Sequence, residues 1–221
     1  MTGKLFATAI LKYCAGVVII GLLLFLPGTF GFWQGWLLMG ILFIPMFAAG
    51  IVMMVKNPAL LEKRLNAREQ ENEQKQVLLL SAVMFIAAFI AAGLGYRFGF
   101  ILPTPVSIIA AVLFLGFYAL YAEVLRENTY LSRTVEVQEN QKVIDTGLYG
   151  IVRHPMYMAT VGLFLMMPLV LGSGIGFLIM LVYIPILAKR IRNEEQVLME
   201  GLPGYREYMR KVRYRMIPFV Y

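Results

Sequence analysis

Six apolar runs dominate this chain and leave few folds open to it. They cover about Leu5–Leu26, Trp33–Val55, Val77–Tyr96, Pro105–Leu125, Pro155–Leu171 and Gly174–Ala188. Each of the first four can cross a bilayer core, which takes about 20 predominantly apolar residues in a helix. The last two hold only 17 and 15 residues and read as a short hairpin, tilted or shielded by its neighbours. Apolar residues make up 60% of the 221 and charged residues 15%, against roughly 45–50% and about 25% in ordinary globular proteins. A soluble globule, a disordered chain and a disulfide scaffold all fit poorly. The expected fold is an all-α integral membrane protein of about six transmembrane helices, with a cytoplasmic loop and a C-terminal interfacial helix. Leu5–Leu26 follows Lys4 as a signal peptide would. It is too long for one, a second run follows at once, and no small-x-small site closes it, so a retained helix is expected.

Charge placement gives the expected topology. Cytoplasmic loops collect Lys and Arg. Five basic residues lie between Lys56 and Gln76, four between Arg126 and Arg153, and eight from Lys189 onward; with Lys4 they account for 18 of the 20 in the chain. Arg97 falls on the opposite side, and Lys12 is the one charge within a run. Six crossings with both termini cytoplasmic explain this pattern. The net charge of +7 is then topology, not a nucleic-acid footprint. Residues 1–125 form a four-helix membrane portion, and 126–221 carry the polar segments, within one membrane domain. At Asn57-Pro58, an N-cap followed by a proline suited to the first helical position marks a short surface helix.

Several chemistries are excluded. Cys14 has no partner for an intrachain disulfide and is expected in the interior. A single histidine, His154, rules out any site with two His ligands, and no metal site is expected. There is no phosphate-binding GxxxxGK loop. Gly172-Ser173-Gly174-Ile175-Gly176 follows no strand pattern and reads as a turn between helices.

Three polar segments hold candidate chemistry. Arg153-His154-Pro155-Met156-Tyr157 stands where a polar loop enters an apolar helix. Its helix start favours an anionic group, and the alternative is an arginine snorkelling at the interface. In Lys189–Glu195, Arg190 and Glu194 are four apart and share a helix face. Acids at such a position add nothing to topology and point to a cationic partner. Glu123 lies close to the hydrocarbon and is a functional candidate by default, or a partner of Arg126. The tail alternates aromatic and basic residues, as interfacial helices do.

Together the motifs resemble the isoprenylcysteine carboxyl methyltransferase family, which is related to the phospholipid N-methyltransferases. Thr146-Gly147-x-Tyr149 precedes Arg153-His154-Pro155-x-Tyr157. Glu194, Glu195 and Leu198 follow, then Gly204-Tyr205-x-x-Tyr208, and Arg215-x-x-Pro218 closes the pattern. The resemblance covers roughly Glu123–Pro218. It implies an integral membrane enzyme using S-adenosyl-L-methionine on the cytosolic side. The matching cofactor positions are Gln138, Gln141, Lys142, Val143, Ile144, Tyr149, His154, Pro155, Met156, Tyr157 and Glu194. Glu195 is added from its place beside Glu194, and Arg190 matches an arginine that meets the substrate. The catalytic candidates are Arg190, Glu194 and Glu123. Ala159 departs from a frequent glycine, and Leu202-Pro203-Gly204 from a frequent Phe-Gly.

The residues themselves agree with that cofactor. A helix start with His154 offers a site for its carboxylate, Glu194 and Glu195 for its ammonium, and Tyr149 or Tyr157 for its sulfonium by cation–π contact. The implied reaction is methyl transfer to a lipid or lipidated acceptor, favouring isoprenylcysteine-carboxylate-type O-methylation. The alternatives are a phospholipid N-methyltransferase, a membrane sterol-type reductase using NADPH, and a non-catalytic membrane protein. The expected partners are the bilayer and a lipophilic or prenylated acceptor.

Overall fold

The computed structural model describes residues 2–65, 72–128, 130, 137 and 139–221. Gln138 therefore lies outside the described residues. The described chain is helical, with no strand: α1 (Thr2–Phe25), α2 (Trp33–Lys56), α3 (Pro58–Leu65), α4 (Asn72–Arg97), α5 (Thr104–Glu127), α6 (Pro155–Val170), α7 (Gly174–Leu181), α8 (Tyr183–Gly201) and α9 (Tyr205–Lys211). Among the described residues, five segments are long and apolar enough to cross a membrane: Gly3–Phe25, Trp33–Lys56, Leu78–Arg97, Thr104–Glu127 and Gly174–Gly201. The 16-residue α6 is shorter.

The last limb departs from a short hairpin. Its apolar run ends at Ala188, yet the helix continues to Gly201. Tyr183, Leu187, Ile191 and Glu195 recur every fourth residue on its buried face, so one stripe carries the helix past the charged segment. The break between α7 and α8 follows from Pro185. Proline lacks an N–H for the carbonyl four residues back, at Leu181, and its ring crowds that carbonyl. α7 ends at Leu181.

The bundle has a small core and a large apolar exterior. Leu24, Phe32, Leu38, Phe114 and Leu171 are fully buried, while Leu11, Val18, Ile44, Val55, Leu79 and Val112 are exposed. On a water-soluble protein such a surface would be an interaction patch or an aggregation liability; against hydrocarbon it is the expected face. Helices in lipid associate through close packing of small residues, and the interfaces here are built that way. Ala88, Ala92, Ala110, Ala111 and Ala159 are all buried. Gly162 of α6 lets Phe117 of α5 lie flat against the helix: a Cβ there would sit 2.3 Å from the ring. Gly162→Ala is expected to cost about 1–3 kcal/mol of overpacking. The readout is the thermal midpoint in detergent, partly restored by Phe117→Leu; an unchanged midpoint would refute the contact.

The helix ends are satisfied as the residues dictate. The Asn57 side chain accepts a hydrogen bond from the Leu60 N–H at 3.1 Å, capping α3. Ser173 does the same for Gly176 at 3.0 Å, so the glycine stretch is a turn and a cap. Arg97 donates to the carbonyls of Leu26 and Gly28, at 3.1 and 2.6 Å, where α1 runs out. Trp36 stays half exposed and donates its indole N–H to the Phe30 carbonyl at 2.9 Å, an interfacial arrangement.

One expectation is corrected, that for Cys14, and Lys12, the one charge within a run, is paired. Its ammonium donates to the Leu65 carbonyl at the end of α3, where helix carbonyls favour a cation. Cys14 is exposed on α1, not interior. The outside of a membrane bundle is as apolar as its inside, so an apolar run does not tell which way a residue faces.

Candidate functional site

The site forms where the polar segments meet, at the end of the bundle bearing the start of α6. Glu127, the last residue of α5, anchors the turn that precedes α6. The Glu127 carboxylate accepts the Leu148 N–H at 3.1 Å. Gly147 has a φ of +49°, and a Cβ there would lie 1.8 Å from a Glu127 oxygen, so only glycine fits this approach. The resulting 3-10 turn, Gly147–Gly150, buries Tyr149, whose hydroxyl accepts from the Asn128 amide at 3.0 Å.

The turn faces a cleft of about 870 Å³, counting its open mouth. Of the residues singled out from sequence, Gln141, Lys142, Val143, Ile144, Tyr149, His154, Met156, Tyr157, Arg190 and Glu194 all line it. Pro155 is buried as the first residue of α6, next to the lining. Ala159 is fully buried and does not line the cleft, so its methyl packs.

On α8 the stripe Arg190–Glu194–Leu198 looks into the cleft. Arg190 and Glu194 converge on one side chain. The Arg190 Nε–H donates to the Tyr157 hydroxyl oxygen at 3.0 Å, and that hydroxyl donates to a Glu194 carboxylate oxygen. The chain guanidinium–phenol–carboxylate fixes all three groups. It places a cation and an anion on one hydroxyl.

Glu195 has a different place. It is 2% exposed and does not line the cleft. One oxygen accepts from Arg153 Nε at 2.8 Å and lies 3.3 Å from His154 Nε2; the other accepts from Arg215 at 2.8 Å. Arg153, also buried, donates further to the Val212 and Arg213 carbonyls at 2.8 and 2.7 Å. The backbone N–H groups of Arg153 and His154 donate to the Tyr214 and Arg215 carbonyls at 2.9 and 2.7 Å. The tail is thus a strap across the start of α6, and Arg153, which also borders the cleft, does not snorkel but is held by Glu195 and the tail carbonyls. The Arg215 motif at the end of the resemblance is the strap's anchor. Glu123 is paired with Arg126 at 2.6 Å on the surface and does not line the cleft.

α9 closes the site from below. Tyr205 and Tyr208 turn inward and line the cleft, while Arg206, Arg210 and Lys211 are exposed. Tyr208 donates to the Tyr149 carbonyl at 2.7 Å. Burial raises the pKa of Tyr149, Tyr205 and Tyr208 well above the ordinary phenol value, so all three remain neutral hydroxyls.

Sequence reasoning missed Glu127, Asn128 and Arg64, and named Tyr205 and Tyr208 as motif residues without assigning them to the site. Arg64, on α3, donates to the Tyr121 hydroxyl at 2.7 Å and approaches the sulfur of Met156 at 3.7 Å. It brings the surface helix to the edge of the cleft. Only its position on the surface helix was legible.

The expected family resemblance is borne out: residues 107–200 match the model of the isoprenylcysteine carboxyl methyltransferase (ICMT) family. The match begins in α5 and ends in α8, and includes every cleft-lining position carried over from the motifs. A curated relative, the Delta(14)-sterol reductase TM7SF2 of Mus musculus, is 26% identical over 137 residues, 54% of this chain and 33% of that protein. The chain thus spans about a third of the length of that relative. Together with the apolar helices, the family match supports a membrane methyltransferase.

Proposed function

We propose that the protein is an S-adenosyl-L-methionine-dependent methyltransferase acting on a lipophilic acceptor with an oxygen nucleophile, an isoprenylcysteine-type carboxylate being favoured. The observation that carries this reading is the convergence of Arg190 and Glu194 on Tyr157, inside a cleft lined by the family's cofactor positions.

The residues suit the cofactor. Glu194 offers a carboxylate for its ammonium, and Lys142 at the mouth a cation for its carboxylate. Lys142 takes that role because Arg153 and His154 face Glu195. The rings of Tyr149 and Tyr157 suit its sulfonium. Val143, Ile144 and Met156 suit the adenosine portion. Gln138 and Gln141 belong to the same segment. When bound, S-adenosyl-L-methionine supplies a methyl group already activated for transfer. The protein's share is to position the acceptor and keep water out. Arg190 would hold an acceptor carboxylate by two parallel hydrogen bonds, which lysine cannot reproduce.

A carboxylate acceptor is ionised at neutral pH and asks for no general base. An amine acceptor must first lose a proton. Among the cleft residues His154 faces Glu195 and Glu194 accepts from Tyr157, which favours oxygen over nitrogen. Arg190, Glu194 and the cleft mouth share the basic end of the chain, so the proposed orientation has both termini and the cleft in the cytoplasm. The sterol-reductase alternative rests on a partial, distant likeness and is not favoured.

The test is transfer of labelled methyl from S-adenosyl-L-methionine to a membrane lipid extract, with identification of the product. A base-labile methyl ester supports the reading. Methylated phospholipid amine, or binding of NADPH without S-adenosyl-L-methionine, overturns it. Within the assay, Arg190→Lys is expected to raise the acceptor's KM about tenfold with the cofactor's KM unchanged, since one two-pronged contact is lost.

A further inference from the structure

The five tyrosines that line the cleft differ in one respect. Tyr130 donates to the Asn140 carbonyl at 3.3 Å, Tyr149 accepts from Asn128, Tyr157 donates to Glu194, and Tyr208 donates to the Tyr149 carbonyl. Tyr205 is 4% exposed, and its hydroxyl is buried with no hydrogen-bond partner among the described residues. Buried polar atoms are nearly always paired, and an exception calls for an explanation. Local folding supplies none. Tyr205 opens α9 after the turn Leu202-Pro203-Gly204, with Gly204 at a φ of +84°. Its ring packs at 5.7 Å on Tyr208 and in a cluster with Leu202 and Val212. A phenylalanine would satisfy those contacts equally well.

The surroundings say what the hydroxyl meets. Tyr205 lines the same cleft as Glu194, and besides burial its phenol feels the Glu195 and Glu194 carboxylates, with Arg153 opposing them. Glu195 is closed off by Arg153, His154 and Arg215, so among the described residues Glu194 is the anion facing the cleft. A neutral phenol oxygen in the cleft that this carboxylate faces has lone pairs to offer a ligand cation drawn there.

We infer that the Tyr205 hydroxyl is a ligand contact: its oxygen accepts a hydrogen bond from the ammonium group that Glu194 pairs with. This deepens the proposed function and rests on it. Tyr205 and Glu194 together form a two-point seat for the amino-acid end of the cofactor, one on α9 and one on α8. Ligand binding then ties the tail to the bundle through a bond the ligand-free protein does not make.

Tyr205→Phe tests this, because it deletes one oxygen and keeps the ring. In the full-length protein in detergent, affinity for S-adenosylhomocysteine is expected to fall about tenfold, or about 1.4 kcal/mol. The thermal midpoint of the ligand-free variant is expected to be unchanged or slightly higher, since an unpaired buried hydroxyl is removed. Affinity for 5′-methylthioadenosine, which lacks the amino-acid end, is expected to match the wild type. An unchanged affinity for S-adenosylhomocysteine overturns the inference, and so does an equal loss against both ligands. A lower ligand-free midpoint with unaltered binding would show a purely structural hydroxyl and overturn it as well. If the wild type binds neither ligand, the methyltransferase reading itself fails, and the inference with it.

Discussion

Glu195→Gln is expected to cost the folded protein about 3–5 kcal/mol, the usual penalty for stripping one partner from a buried ion pair. The Glu195 and Arg153 side chains are 3% and 6% exposed. Without the carboxylate the Arg153 guanidinium would stay buried, and an amide would present its own N–H groups to donors. Arg215, one-third exposed, contributes less because water screens it. The damage extends beyond one pair. Glu195 on α8, Arg153 before α6 and Arg215 in the tail join three segments far apart in sequence, and the tail carbonyls that hold the start of α6 depend on that junction. The expected readings are a thermal midpoint in detergent several degrees lower and faster proteolysis of the tail. A variant melting with the wild type would refute the role.

The neighbouring substitution is expected to act in the opposite way. Glu194→Gln leaves the midpoint of the ligand-free protein close to wild type, since the residue faces the cleft and Tyr157 can still bond an amide oxygen. Affinity for S-adenosylhomocysteine is expected to fall about 10–100-fold. A hydrogen bond to a charged group contributes about 1.5–3 kcal/mol, and each 1.4 kcal/mol is tenfold. Calorimetric or fluorescence titration in detergent measures it. Unchanged affinity would remove Glu194 from the ammonium site. Run together, the two variants separate a residue that holds the protein from one that holds its ligand.

That separation was not legible from Glu194-Glu195 as two letters. Successive residues on a helix point about 100° apart, so adjacent acids necessarily face different surroundings, and the pattern does not say which acid faces which. The Arg190–Glu194 spacing was informative for the same reason, since residues four apart share a face. What lay between them, the Tyr157 hydroxyl, came from another helix. The Arg153-His154 pair shows the limit most clearly. Donors beside a helix start fit an anion site, but the tail, some 60 residues later, arrives to claim them. Gly147 was visible as part of a motif, whereas its reason, the Glu127 carboxylate pressed against it, depends on α5 ending beside the turn.

Membrane class and the basic end of the bundle were decided along the chain. They depend on how many apolar residues run consecutively against a fixed bilayer thickness and on where charges fall between runs, and both are one-dimensional quantities. The extension of the last helix, the lipid-facing Cys14, the tail strap and the unpaired Tyr205 hydroxyl were decided only by the packed chain. Hydrogen bonds act over about 3 Å, so a polar group's role is set by whichever neighbour comes that close, and here those neighbours come from distant parts of the sequence.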